Sequence, residues 1–434
     1  MTTLRDVVAG RLRAVSRDAQ YRASLLLLAN TVSLAGFGFV FWTLAARSYP
    51  DAAVGWLAGT TAAVNLLATF AALGLPNTIL RHLGGTPNAR EFMLTIVGAV
   101  AAVGGGMTLI AILVIGPIAP HSLNLDQRGG SSLLVTALVI LTAASSALDT
   151  GLIAIRAAGP LLVKNLAGSI AKIVALGLLT GHGTPGLVAA YSVGTLLSCL
   201  LGAAVLWPRL KTTGRPEGPL KILRRNLLTS AGNYTGTVLG ILPSTVVPLE
   251  VLAIRGPDET AWFAIAFQLA GFLNFIPATS SQVMFAEARK GSLLRYLQKA
   301  FRSIYAMLLP AALVIFVAAP YLLSAFGPGY AEHGTWTLRL LALGALLTAG
   351  NYLVDAALIA RDHTRSYMFM NGTNSILVLV LVGLLLHQGL TAAALGWVIA
   401  QGLSAAIGVA VMVAAFHDKR RSDLRTTIGV RKTA

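Results

Sequence analysis

The feature that most limits what this chain can become is a series of long apolar stretches that occupy most of its 434 residues. A helix needs about 20 mostly apolar residues to cross the hydrocarbon of a bilayer. Twelve runs reach that length, at 23–47, 52–75, 92–116, 131–155, 160–180, 185–207, 227–254, 260–284, 300–325, 337–359, 367–386 and 390–416. Inside hydrocarbon every backbone N–H and C=O must be satisfied by the protein itself, so runs of this kind become helices. The expectation is an all-α, polytopic membrane protein with 12 transmembrane helices. Composition agrees: 11% of the residues are charged, against about 25% in a soluble domain. Forty-four glycines suit the close approach of helices in a bilayer. Gly55 and Gly59 form one GxxxG pair. The lone Cys199 has no partner for an internal disulfide and reads as core packing.

The chain also repeats itself. Asp149 in SALDTGLIA matches Asp355 in YLVDAALIA, 206 residues later. Asn165, Ser169, Gly183, Tyr191, Ser198 and Gly202 match Asn371, Ser375, Gly389, Trp397, Ser404 and Gly408 at the same offset. A constant register of this length marks two copies of one unit. Between them lies RLKTTGRPEGPLKILRR, which is basic and carries Gly214, Pro216, Gly218 and Pro219. The expected organisation is a basic N-terminal segment 1–20, an N-lobe 21–208, a linker 209–225, a C-lobe 226–416 and a basic tail 417–434. In the first segment Leu4, Val8, Leu12 and Val15 share one helical face. That pattern suits either a helix lying on an anionic membrane surface or a charged flank that only sets orientation.

Lys and Arg set the orientation. With the N-terminus inside, 28 of the 33 basic residues fall on the cytoplasmic side. Arg47, Arg128, Arg255 and Arg339 fall outside, and Lys172 falls within the membrane. This placement accounts for the net charge of +17 without nucleic acid. Six helices per copy is an even number, so both copies enter from the same side and the repeats are parallel. Both termini and the linker are then cytoplasmic. Asp51 and Asp258 each follow a proline at the start of a helix and read as N-caps.

No His/Cys cluster has metal spacing and no phosphate loop is present, so neither an enzyme nor a cofactor or metal site is indicated. The informative residues are polar ones inside the spans. A lysine at bilayer centre costs about 2.5–3.5 kcal/mol on insertion scales, so Lys172 needs a partner or an aqueous cavity. Three readings stand: a buried pair with Asp149, a cation that meets an anionic substrate, or a side chain that snorkels towards the interface. Asp355 has no matching lysine; it either pairs with Arg361 or takes a proton or a cation. Asn30, Asn65, Asn233, Gln268 and Asn274 sit on the first two helices of the two copies. They either bond between helices or line a polar cleft. Pro243 and Pro248 interrupt helix 7 where helix 1 has no proline. A proline kink serves either as a gate or as static packing.

Four stretches carry a resemblance to a known family. They are LAARSYPDAAVGWLA at the first hairpin, GLPNTILRHL at the end of helix 2, LLSAFGPGYAEHG after helix 9, and LRLLALGALLTAGNYLVDAALIARDHTR across helix 10. Over about residues 20–415 the chain resembles the polysaccharide and oligosaccharide-lipid flippases. Their superfamily also holds the multidrug and toxin extruders (MATE) and the lipid II flippases. The resemblance implies a MATE-like fold in the cell membrane. It implies transfer of a polyprenyl-diphosphate-linked oligosaccharide to the outer leaflet by alternating access, with H+ or Na+ as a coupling ion. It also implies a cationic cleft, for which Lys172, Arg22 and Arg81 are the candidates. A multidrug or cation antiporter of the same fold, using Asp149 or Asp355, is the alternative. A membrane glycosyltransferase or polymerase is a third, against which the short external loops argue.

Overall fold

The computed structural model describes residues 19–115, 130–213, 218–288, 293–361 and 363–431. The N-terminal segment up to residue 18 lies outside these. The first six helices are α1 (Ala19–Ser48), α2 (Asp51–Ala72), α3 (Leu75–His82), α4 (Ala89–Ile115), α5 (Gly130–Ala154) and α6 (Ala158–Leu178). Then come α7 (Gly183–Leu206), α8 (Pro219–Arg255), α9 (Pro257–Gly271), α10 (Phe275–Ala288), α11 (Leu293–Ser324), α12 (Pro328–Ala360), α13 (Thr364–Leu386) and α14 (Leu390–Arg431). Among the described residues, 12 helical stretches are long and apolar enough to cross a membrane. The protein is an all-α, multi-pass membrane protein. Its large side chains bear this out: Leu133, Leu178 and Tyr321 are 73%, 77% and 78% exposed, a surface that lipid rather than water would cover.

Glycine and proline punctuate the helices. Gly256, at φ 84°, stands alone between α8 and α9, and Pro257 opens α9. Pro328 likewise opens α12, directly after Gly327. Proline at the first helical position loses only an N–H that has no helical partner. Because Pro328 starts α12, that helix begins nine residues before the position read from hydropathy, and its first turns carry Tyr330, Glu332 and His333. The eighth apolar run is two helices, α9 and α10, joined by a 3-10 turn at Phe272–Asn274. The linker is shorter than its charge pattern suggests, since α8 already includes Lys221 and Arg224. The chain is tied down on both sides of residues 214–217: Asn88 and Thr212 form an antiparallel bridge, and Glu91 accepts the Gly218 N–H at 3.1 Å.

The chain divides into two compact units, residues 1–49 with 67–231 and residues 50–66 with 232–434. Unit 1 has a core of Ile79, Phe92, Met93, Ile96, Leu148, Leu152 and Leu206. In unit 2, Ile304, Leu308, Ala342, Ala345 and Ala349 play that part. The GxxxG pair is a real close approach inside unit 2. A Cβ on Gly55 would lie 1.7 Å from the Pro257 carbonyl oxygen, and one on Gly59 would lie 2.4 Å from Leu252 Cδ2. The capping reading of Asp258 needs correction. Gly256, with no side-chain bond, caps α9, so Asp258 sits in its first turn, where a negative charge suits the helix N-terminus. Asp51 Oδ2 accepts a hydrogen bond from Trp262 Nε1 at 2.9 Å, and Trp262 stacks on His333 at 4.1 Å.

Candidate functional site

In unit 1 the polar residues gather on the α5–α6 hairpin, around a lysine that the charge count places with the loop residues. Lys164 is 1% exposed and forms an ion pair with Asp149. Its ammonium also donates to Asn165 Oδ1 and to Ser198 Oγ, both at 2.9 Å. All three protons of the ammonium are therefore used. The Asn165 amide donates to Asn30 Oδ1 at 2.9 Å, which ties α1 to the cluster. The expected Lys172–Asp149 pair is thus overturned. The physical reason is depth across a tight hairpin. Asp149 lies five residues from the end of α5 and Lys164 six from the start of α6, so at 1.5 Å per residue their depths differ by about 1.5 Å. Lys172 is eight residues deeper on α6. Its ammonium instead sits 3.8 Å from the centre of the Tyr191 ring. Its stem crosses Gly194, where a Cβ would come within 2.1 Å of Lys172 Cγ.

Unit 2 holds the second polar group, and here it lines a cavity of about 430 Å³. Asp355 and Tyr352 come from α12, Asn371 and Asn374 from α13, Trp397 and Gln401 from α14, and Asn274 from the turn after α9. The Asn371 amide donates to Asp355 Oδ1 at 3.1 Å and to the Tyr367 carbonyl at 3.0 Å. The Asn351 amide donates to Gln401 Oε1 at 2.7 Å. Trp397 is held edge-on by Phe267 at 5.1 Å. The expected Asp355–Arg361 pair is not formed: among the described residues no ion pair involves Asp355. Arg361 follows the last turn of α12, where the chain leaves the helix, and no lysine, arginine or histidine lines the cavity.

The proline of the cavity wall is integrated rather than loose. Pro243 has no N–H, so the carbonyl of Leu239, four residues earlier, loses its helical partner. Ser375 on α13 donates its hydroxyl to that carbonyl, as neighbouring Ser or Thr does for broken helices in membranes. Pro243 and Pro248 both lie inside α8 without ending it.

The candidates read from sequence therefore separate. Asn30 and Asp149 meet in unit 1, while Asp355, Asn274 and Pro243 meet in unit 2. Asn65, Arg22 and Arg81 are exposed, and Gln268 is half-buried and does not line the cavity. Asn233 lies on α8, and its side chain falls outside the described residues. Sequence reasoning missed Lys164, Asn351, Gln401 and Glu250. Lys164 was findable by matching hairpin depths. Glu250, on α8, was findable as a lone acid in an apolar span. Its Oε2 is buried with no hydrogen-bond partner among the described residues, and it lies beside Gly383.

Known proteins share the fold. The fold is similar to an inward-facing multidrug resistance MATE family transporter of the MOP superfamily, with TM-score 0.65, 17% identity, 92% of this chain and 99% of that one covered. It is similar to the lipid II flippase MurJ in an inward closed conformation, with TM-score 0.66, 12% identity, and 91% and 87% covered. A MOP superfamily transporter from Pyrococcus furiosus is also similar, with TM-score 0.55, 14% identity, and 92% and 95% covered. No curated protein matches the chain. The family model for polysaccharide biosynthesis proteins matches residues 22–285. Over half the chain fits that model, in a MATE-like fold, and the protein belongs to the polysaccharide biosynthesis protein family.

Proposed function

We propose that this protein is a flippase, not an enzyme. It carries a polyprenyl-diphosphate-linked oligosaccharide, a precursor of a cell-surface polysaccharide, from the cytoplasmic to the outer leaflet of the cell membrane. The carrying observation is the hydrogen-bonding cavity around Asp355, Asn351 and Gln401 inside a chain whose membrane surface is otherwise apolar. Family membership supports the reading, and so does the likeness in fold to a protein described as a lipid II flippase. Transfer proceeds by alternating access of two lobes, residues 21–208 and 226–416. Both termini and the 209–225 linker face the cytoplasm, on the strength of the basic asymmetry. Lys172 supplies a cation for the diphosphate, because charge interactions strengthen as the dielectric falls, and Lys164 is already committed to Asp149. A coupling ion, H+ or Na+, drives the cycle.

The test uses the purified protein in liposomes that contain a fluorescent lipid-linked glycan. Exposure of the glycan to an impermeant glycosidase is followed with and without a proton or sodium gradient. Gradient-dependent exposure supports the reading; exposure no faster than in protein-free liposomes overturns it. A second reading, a cation or drug antiporter, is favoured by Asp355, which has no ion pair among the described residues. Uptake of an organic cation by the same liposomes, without glycan movement, would establish that one.

A further inference from the structure

Away from the cavity, the surface of α11 and α12 holds a cation whose neighbours are aromatic. Arg339 is half-buried on α12. Its Nε–H donates to the Phe316 carbonyl at 3.1 Å, and among the described residues no ion pair reaches it. A guanidinium has five N–H donors. The four on its terminal nitrogens therefore have no protein acceptor among those residues. The group is nevertheless held in place. Its Cζ lies 5.3 Å from the centre of the Phe316 ring on α11 and 4.9 Å from that of Trp336 on α12. Rings from two helices thus hold one cation.

Depth decides what can meet it. Glu332 and His333 are exposed in the first two turns of α12, which marks that end as the water side. Trp336, also exposed, stands where an aromatic belt is expected. Arg339 lies eleven residues from the start of α12, about 16 Å along the axis. A helical side chain leans towards the N-terminus of its helix, so the Arg339 stem runs back towards the water side, level with Trp336. The surface around it is apolar, with Leu313 and Val317 of α11 exposed. An arginine in such a place usually carries its head out to water. Here the Phe316 carbonyl and the two rings tie the head down, so acceptors must come to it. Glu332 shares its face of the helix two turns earlier but makes no ion pair with it.

The acceptor found at this level of a bilayer is the phosphate of a lipid. The planar guanidinium fork matches phosphate oxygens, and Leu313 and Val317 give the acyl chains a surface. A headgroup that keeps its net negative charge suits an unpaired cation better than a zwitterionic one. We propose that Arg339, Trp336 and Phe316 form a headgroup site for an anionic phospholipid. With the termini in the cytoplasm, it faces the outer leaflet. None of the three residues lines the unit 2 cavity, and the site does not depend on what the protein transports.

The test uses the full-length protein in detergent, stripped of lipid. It is titrated with phosphatidylglycerol or phosphatidylcholine of the same acyl chains, and bound lipid is counted by native mass spectrometry. Phosphatidylglycerol should bind more tightly. Arg339→Gln should weaken it roughly tenfold or more, the loss of a hydrogen-bonded charge, and remove the preference. Arg255→Gln makes the same change of charge at an exposed arginine already bonded to Glu259, and it should leave the preference intact. Equal affinity for the two lipids, or equal losses in the two arginine variants, would overturn the site. Polyprenyl diphosphate is the third probe. If it alone depends on Arg339, the contact belongs to the cargo and the phospholipid site is refuted. Thermal melting checks folding. If Arg339→Gln does not fold, the wild type is placed in nanodiscs with brominated lipids, and Trp336→Phe identifies the fluorescence of Trp336. Brominated phosphatidylglycerol should quench that fluorescence more than brominated phosphatidylcholine at the same fraction; equal quenching refutes the proposal.

Discussion

The two copies of the repeat treat the same hairpin differently. Unit 1 carries Asp149, Lys164 and Asn165, and unit 2 carries Asp355, Met370 and Asn371 at the matching positions. Lys164 and Met370 are each 1% exposed. Each lies over a matching glycine: a Cβ on Gly202 would be 3.2 Å from Lys164 Cδ, and one on Gly408 would be 2.8 Å from Met370 Cε. Shape is therefore kept while charge is not. In unit 1 the ammonium closes the polar group upon itself. Where a thioether stands in its place, the aspartate and its asparagine instead face a cavity. A pair of copies can thus share a fold and differ in what the hairpin does, one copy closing its polar group and the other lining a cavity with it.

The sharpest way to break this comparison is to exchange the two residues. Lys164→Met strands Asp149 beside Asn165. Removing one partner of a buried pair costs about 3–5 kcal/mol, and the lower end is expected because the Asp149 side chain is 32% exposed. Adding Asp149→Asn should recover most of that loss. Thermal unfolding in detergent measures both, and a single variant that melts like the wild type would refute the structural role of Lys164. The reverse exchange, Met370→Lys, should insert and fold with an ion pair to Asp355. It should abolish glycan movement in liposomes, and undiminished movement would show that the charge at Asp355 is not needed.

A smaller effect is expected at Gly194. A Cβ there would lie 2.4 Å from the Gly168 carbonyl oxygen and 2.1 Å from Lys172 Cγ. Unit 2 carries Asn374, Val378 and Ala400 at the positions matching Gly168, Lys172 and Gly194, so its helices already accommodate an alanine. Gly194→Ala should cost about 1–3 kcal/mol by overpacking. Lys172→Val should relieve only part of it, because the backbone clash remains. Full relief in the melting temperature of the double variant would place the whole clash on the lysine stem.

Ser375→Ala should cost about 1–1.5 kcal/mol, since it leaves the Leu239 carbonyl unpaired. The matching Ser169→Ala should cost less, as no proline interrupts helix 1. If Pro243 is the cause, Ser375→Ala should be milder when combined with Pro243→Ala, which restores the helical N–H. Equal losses in both backgrounds would separate serine from proline. Pro243→Ala with Pro248→Ala also tests gating: slowed glycan movement by a well-inserted protein supports a moving kink.

The least costly change for the fold is Lys172→Ala. It removes a cation–π contact that contributes about 0.5–1 kcal/mol at an exposed site, and more where it is desolvated. It should not depend on Asp149→Asn, because the two residues do not pair. Transport is the separate readout. Lost glycan movement with Lys172→Ala, partly kept by Lys172→Arg, would support the diphosphate role. Full movement in Lys172→Ala would remove it.

Sequence alone settles the membrane class, the 12 spans and the register of the repeat. These are local properties: a helix in hydrocarbon closes its hydrogen bonds within its own segment, so length and polarity are enough to define it. The offset that joins Asp149 to Asp355 needs no coordinates either. Partner choice is a different matter. Hydropathy averages over about 20 residues and cannot tell Lys164 from Lys172 as the partner of Asp149. That depends on where the α5–α6 turn falls and how each helix is rotated. The cavity is less legible still, because Asn274, Asn351, Asn374 and Gln401 come from separate elements and form no local motif. Tertiary structure decided which of the buried polar groups are satisfied and which face open space, since satisfaction is a property of neighbours brought together by packing and not of any single stretch of chain.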